Sequence, residues 1–170
     1  MYKKITPSEK ITRNVNKNQN ILNITIKETD INEAIKVHKN VKEFNDGLSL
    51  SKEYFENRYK DSEKLIIVAY YKQHPIGYII GYDKFRDNKM SFYCWMAGVD
   101  NNYRRLGALN KLMDYQMEWA RKKGYKKLRI KTRNSRREML SFLVKKGFNF
   151  ISIEEKENII DNRINLEIQL

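Results

Sequence analysis

Cysteine, histidine and proline are scarce in this sequence, and each shortage excludes something. The one cysteine, Cys94, cannot close an internal disulfide. With only two histidines, His38 and His74, a His/Cys zinc site is not expected, and no metal is assigned. No stretch approaches the ~18 consecutive apolar residues of a membrane span. Met1-Tyr2-Lys3-Lys4 is basic with no apolar run behind it, so a secretory leader is not expected. A reducing cytoplasm is the expected setting, with no membrane partner. There is no G-x-x-x-x-G-K-[ST] loop, no G-x-G-x-x-G turn and no RNP-type aromatic-basic strand.

Acids are also outnumbered: 21 Asp and Glu face 34 Lys and Arg, a net charge of +13. That surplus attracts phosphates of any kind, in nucleic acid, lipid or a phosphorylated cofactor. Charge spread over solvent positions in a chain crowded with Lys, Asn and Ile gives the same sum, so it identifies no partner. The 170 residues, 41% hydrophobic and 32% charged, suffice for one domain with its own core.

Residues 1–20 carry Lys3, Lys4, Lys10, Arg13 and Lys17 against one acid, Glu9, and lack hydrophobic periodicity. They read as a basic N-terminal arm, leaving 21–170 as the domain. Alternation of Leu22, Ile24 and Ile26 with polar neighbours predicts a strand over 21–28. Thr29 or Asp30 caps a helix expected to reach about Phe44, and Ser51 caps a shorter one with Phe55 and Tyr59 inward. Leu65–Tyr70 and Ile76–Tyr82 read as strands joined by a turn at Gln73-His74-Pro75. Met90–Val99 is a third apolar segment, completing an antiparallel meander.

The loop Asp100–Arg105 then leads into a long helix from about Leu106 to Lys123, apolar enough around its circumference to be covered by protein. Gly124 stops it. Leu128–Thr132 is a strand, Ser135–Lys146 a helix that again ends in Lys-Lys-Gly, and Phe148–Ile153 with Ile164–Ile168 a closing hairpin. Strand, helix and strand after the meander form a βαβ unit, which makes its two strands parallel.

The informative stretch is Val99-Asp100-Asn101-Asn102-Tyr103-Arg104-Arg105-Leu106-Gly107-Ala108, a strand end running into a helix N-terminus. Free N–H groups and the helix dipole make such a start attractive to anions, small Gly107 and Ala108 open the backbone, and Arg104 and Arg105 add full charges. Taken alone, R-x-x-G is common in basic chains, where it marks a solvated loop.

In its context this stretch resembles the acetyl-CoA-binding motif of the GNAT superfamily of N-acetyltransferases. Val99, Tyr103, Arg104 and Gly107 occupy the matching positions: a valine ending the fourth strand, an aromatic-Arg pair, then Arg/Gln-x-x-Gly-x-Gly/Ala. Lys131-Thr132-Arg133-Asn134 through Lys145-Lys146-Gly147-Phe148 is similar to the family's second motif. The resemblance covers about 21–170. It implies an α/β fold with a mixed, mostly antiparallel central sheet of about seven strands, helices on both faces and a parallel fourth/fifth strand pair. It implies acetyl-CoA as cosubstrate, an amine-bearing acceptor of unidentified class and a homodimer as a possible partner state.

Three positions depart from the family pattern. The last small residue of the phosphate loop is Leu109. The asparagine about twelve residues before the closing phenylalanine falls on Arg136 counting back from Phe148, or on Asn134 counting from the strand end. The tyrosine five residues before that phenylalanine, which protonates the departing thiolate, is Leu143.

The resemblance makes Ala97, Gly98, Val99, Arg104, Arg105, Leu106, Gly107, Ala108, Leu109, Asn134 and Arg136 the cofactor-binding candidates. Gly98 marks either the bulge that opens the fourth strand from the fifth or ordinary strand-end packing. Arg136, Arg137 and Lys111 are candidates for the 3′-phosphate. Transfer needs a neutral amine, although a lysine-type amine has a pKa near ~10.4. Asp83, at the end of the third strand, is the candidate base, ahead of Glu43 and Glu53. A backbone N–H around Val99 would receive the developing oxyanion. A thiol of pKa ~8.5 leaves as thiolate near pH 7 at a cost of about 2 kcal/mol, so solvent or Ser141 can replace the missing tyrosine. Tyr78, Tyr82, Tyr93 and Trp95 are candidates for an acceptor pocket. Cys94 is a weaker alternative as a covalent nucleophile. The competing readings are a basic nucleic-acid-binding module, not favoured by the motifs, and a CoA-binding protein without turnover.

Overall fold

The structure, a computed structural model, describes residues 23–44 and 50–170. The basic arm read over 1–20 lies outside the described residues, as do Ile21 and Leu22 of the expected first strand.

Seven strands form one sheet: β1 (Ile24–Glu28), β2 (Lys64–Tyr71), β3 (His74–Tyr82), β4 (Ser91–Val99), β5 (Lys127–Arg133), β6 (Asn149–Glu154) and β7 (Arg163–Gln169), in the order β1-β2-β3-β4-β5-β7-β6. All neighbours are antiparallel except β4 and β5. The described helices are α1 (Ile31–His38), α2 (Lys52–Arg58), α3 (Ala108–Lys122) and α4 (Arg137–Lys145). None of them is long and apolar enough to cross a membrane.

Two apolar layers sandwich the sheet. On one face Ile31, Ala34 and Val37 of α1 and Phe55 of α2 pack on Val68, Tyr78 and Ile80. On the other, Leu112, Met113 and Ala120 of α3 and Leu140 and Leu143 of α4 pack on Ile67, Ile79, Phe92 and Leu128. Gly81 lets α3 seat closely: a Cβ there would lie 2.5 Å from both Gln116 Nε2 and Phe92 Cε1.

Several boundaries differ from the expectation. Asp30 does cap α1, accepting from the N–H groups of Asn32 and Glu33, but the helix ends at His38 and a separate 3-10 turn covers Lys42–Phe44. Asn40 and Val41 donate to Val37 and His38 in tight turns, which drops the Val41 side chain into the core. The β2–β3 turn is Lys72-Gln73, both with positive φ as a two-residue hairpin turn demands. Pro75 therefore lies inside β3, opposite Tyr70, where the ladder is already irregular. Helix α3 buries one stripe only, because Asn110, Lys111, Asp114 and Glu118 hold its other side in solvent.

Both Lys-Lys-Gly sequences stop a helix in the same way. Gly124 and Gly147 take φ of 92° and 95°. The next residue donates back to the helix, Tyr125 to Ala120 and Phe148 to Leu143, each at 3.0 Å. Two orphan carbonyls are satisfied and a buried aromatic follows each stop.

A cleft at the divergence of two parallel strands

The β4–β5 ladder runs only from Ser91↔Lys127 to Cys94↔Ile130. Immediately afterwards β4 is irregular: Gly81 of β3 faces Cys94, but Ile80 faces Met96, so Trp95 is the extra residue. The bulge is thus at Trp95, not at Gly98. From Trp95 to Val99 the edge of β4 that faces β5 has no strand partner. Gly98 serves packing instead, since a Cβ there would come within 2.9 Å of Val41 and 3.0 Å of Tyr78.

A cleft of about 710 Å³ occupies this divergence on the α3 side. Ala97, Gly98, Val99, Arg104, Arg105, Gly107, Ala108, Leu109 and Arg136 all line it. Residues from β4, the following loop and α4 are brought together although up to about forty positions separate them in sequence. Leu106 is exposed and does not line it, because it sits on the outer side of the loop. Asn134 does not line it either: its amide donates to Ile159 O at 3.0 Å and ties down the segment before β7. Met139 and Phe142, which sequence reasoning missed, form the α4 wall. Lys111 donates to Ile24 O at 3.1 Å, whereas Arg137 lines the cleft.

At the mouth of this cleft Arg105 and Gly107 both have positive φ, 63° and 86°. No side chain caps α3, and its first intrahelical donor is Lys111, to Gly107 O at 3.1 Å. The N–H groups of Ala108, Leu109 and Asn110 precede that ladder, so the helix start presents donors and the positive end of its dipole. A Cβ on Gly107 would meet nothing within 4 Å. Glycine is needed there for its backbone angle, not for lack of room.

Arg104 reaches across the cleft. Its Nη1 donates to Glu43 Oε1 at 2.8 Å, its Nη2 to Glu43 Oε2, and its Nε to Val99 O at 3.4 Å. The Arg104 hydrogen bond holds the Glu43 carboxyl below its ordinary range. Both side chains are about one-third exposed, at 32% and 36%. A pair that open to water is worth only about 0–1 kcal/mol, so a multiply charged anion can displace Glu43 from Arg104. Arg136 donates to the backbone oxygen of the same residue and lies over the Phe44 ring.

The two proposed proton-transfer residues fall outside the cleft. Gly98 faces Tyr78, and Asp83, just past the end of β3, lies five residues beyond Tyr78, about 16 Å along the chain at ~3.3 Å per residue; it lines neither cleft. Its carboxylate accepts from Arg86 N at 3.0 Å and shapes its own turn. Ser141 is exposed: α4 turns Met139 and Phe142 toward the cleft, and the 3.6-residue period carries Ser141 away. Leu143 is wholly buried in the core. Glu53 is exposed on α2. Cys94 is buried, and loss of solvent pushes its thiol up to about 12, which removes it as a nucleophile.

A second cleft, about 420 Å³, opens on the opposite face of the same divergence. It shares Glu43, Ala97, Arg133, Arg136 and Met139 with the first, so the two meet through the gap. Tyr93 and Trp95 line it, while Tyr78 and Tyr82 are core residues. Tyr54 of α2 and Phe44 supply further aromatic wall. Among the described residues, no group of His, Cys, Asp and Glu side chains is placed to hold a metal ion.

Residues 32–148 match the model of a family described as the acetyltransferase (GNAT) family. No curated protein matches the chain by sequence. Solved structures do match. Ard1 from Thermoplasma volcanium is 17% identical with a TM-score of 0.71, over 86% of this chain and 97% of that one. The ribosomal-protein-S18-alanine N-acetyltransferase from Escherichia coli is 14% identical with a TM-score of 0.69, over 86% and 93%. A GNAT family acetyltransferase from Elizabethkingia anophelis, with acetyl-CoA bound, is 22% identical with a TM-score of 0.68, over 87% and 99%. At these identities the likeness speaks to the fold.

Proposed function

Given that the chain belongs to the GNAT acetyltransferase family, and is accordingly an acyltransferase, we propose that it transfers an acetyl group from acetyl-CoA to a primary amine by direct attack on the thioester. The observation that carries this reading is the convergence of the unpaired β4 edge, the uncapped start of α3 and Arg104 on one cleft that passes between β4 and β5.

The N–H groups of Ala108, Leu109 and Asn110 receive the diphosphate, with Arg104, Arg105 and Arg136 at its margin. Leu109 in place of a small residue puts a side chain on the cleft wall. Free backbone groups of Trp95 to Val99 pair with the pantetheine arm, and an N–H near Val99 meets the thioester oxygen as it gains charge. The acceptor amine enters from the second cleft.

The base moves from Asp83 to Glu43, the one carboxylate among the described residues that lines both clefts. Diphosphate binding to Arg104 releases Glu43, restores its basicity and leaves it at the gap to take the ammonium proton. Water replaces Ser141 and the absent tyrosine in protonating the thiolate. Free thiol then appears in step with acetylated amine, which separates transfer from binding without turnover.

Thermal unfolding with and without acetyl-CoA tests the reading. At a hundred times its dissociation constant, a bound ligand adds about 2.7 kcal/mol. For a chain of this size that is a rise of roughly 5–10 °C. Gly107→Glu brings a negative charge and left-handed strain of about 1–2 kcal/mol to the anion site, without a clash. It is expected to fold and to lose the rise. An equal rise in both proteins would remove the proposed phosphate site.

A further inference from the structure

Chemistry on the second cleft goes beyond a neutral amine pocket. Among its described lining residues Arg58, Lys131, Arg133, Arg136 and Arg163 are cationic, and Glu43 is the one carboxylate. Two of these arginines lie directly opposite each other on neighbouring strands, in the register pair Arg133↔Arg163. Like charges in that position repel and destabilise a sheet. Nearby carboxylates do not relieve them: Glu154, which faces Arg163 on β6, is hydrogen-bonded to Lys131 and Asn165 instead. Glu167 is taken by Lys127 and Arg129. Among the described residues neither Arg133 nor Arg163 forms an ion pair, and Nη1 of Arg163 is buried without a hydrogen-bond partner. A buried donor left unmade costs free energy that a bound acceptor recovers.

Arg58 enters from the opposite wall. It lies over the Trp95 ring, which itself packs against Tyr54 and Phe55. Lys84 stands close enough to Arg58 and Lys131 that, after burial, their charges help to depress its pKa. The cleft is thus a cationic floor under an aromatic wall.

We propose that the acceptor amine carries its own anionic group, which the paired Arg133 and Arg163 side chains and Arg58 bind, while Trp95 and Tyr54 cover its apolar part. The inference rests on the acyl-transfer reading and adds the substrate class to it. Guanidinium groups suit a carboxylate or a phosphate, both of which accept two parallel hydrogen bonds. Strand spacing limits the molecule. Arg163 is one strand beyond β5, so its backbone lies roughly 5–10 Å from the β4–β5 gap. A small acceptor with amine and anion a few bonds apart fits that span.

Matched amines test the proposal: L-phenylalanine against L-phenylalaninamide, O-phosphoethanolamine against ethanolamine, and spermidine as a polycation. Thiol release from acetyl-CoA is measured for each, with wild type and with Arg163→Gln, which alters the second cleft alone. At least one anionic member is expected to exceed its neutral partner tenfold or more in kcat/KM. The first pair identifies a carboxylate and the second a phosphate. Arg163→Gln is expected to erase that advantage mainly through KM, while its stabilisation by acetyl-CoA matches that of wild type. Preference for a neutral amine or for spermidine would overturn the proposal, as would an advantage that survives Arg163→Gln. Absence of turnover on both anionic amines, with acetyl-CoA stabilisation intact, would overturn it while leaving the coenzyme site standing. Loss of that stabilisation in wild type would remove the acyl-transfer reading and this inference together.

Discussion

Glu43 carries two roles that pull in opposite directions. In the free protein it neutralises Arg104, the cation best placed for a diphosphate, and in the loaded protein it is the proposed base. Glu43→Gln therefore splits binding from catalysis. Acetyl-CoA is expected to bind several-fold more tightly, because its competitor for Arg104 is weakened. Turnover is expected to fall about 100-fold or more, the usual worth of a positioned base. Titration calorimetry and steady-state kinetics on the same preparation check both. A drop in turnover with no change in affinity would leave the proposed exchange at Arg104 without support. Asp83→Asn, by contrast, is expected to leave kcat within about twofold, since that carboxylate serves its own turn and lines neither cleft.

At the scale of elements, what was legible in the sequence is what local chemistry decides. The Lys-Lys-Gly stops, the Ser51 cap and the period of the meander read correctly because a few neighbouring residues settle each one, while the sequence leaves the first cap at Thr29 or Asp30 and the structure makes it Asp30. The start of α3 is legible for the same reason. Long-range pairing is not. Gly98 looks like a bulge in one dimension, but the irregularity falls at Trp95, because the pairing with β3 decides which residue is extra. Glu43 cannot be assigned to Arg104 from spacing when sixty-one positions separate them. The arginine pair was partly legible: alternation of Lys127, Arg129, Lys131 and Arg133 places four cations on one face of β5, but only the β5–β7 register sets Arg163 opposite. Seating of α3 on the sheet gives an element-scale prediction. Gly81→Ala pushes a methyl group to 2.5 Å from Gln116 Nε2 and Phe92 Cε1, and the Phe92 ring has little freedom to yield. The expected loss is about 1–3 kcal/mol in denaturant unfolding. Gly107→Ala, which meets open space, is expected to cost only about 1–2 kcal/mol of backbone strain.

For the whole molecule, a net charge of +13 makes the carboxylates that remain important to stability. Burial raises the Glu167 carboxyl, but hydrogen bonds from Lys127 and Arg129 more than offset it and leave it below its ordinary range. Glu63 is lowered in the same way, with Tyr125, Lys89 and Lys123 opposing its burial. A carboxyl with a lowered folded pKa stabilises fully above its unfolded value, near ~4.3. As pH falls, the unfolded chain takes up the proton first, so stability declines from about pH 5 downward and is lost through the folded pKa. The melting temperature is expected to follow that course. Glu167→Gln should flatten part of it and cost roughly 1–3 kcal/mol at pH 7 by leaving two cations short of a charged acceptor. Constant stability from pH 7 to pH 3 would contradict this description of the ion pairs. A crystal structure of the protein with acetyl-CoA decides whether the start of α3 is the coenzyme's cradle. Diphosphate oxygens are expected within hydrogen-bonding distance of the N–H groups of Ala108, Leu109 and Asn110, and the thioester between β4 and β5 beside Val99. A coenzyme bound elsewhere, with the start of α3 vacant, would contradict that placement.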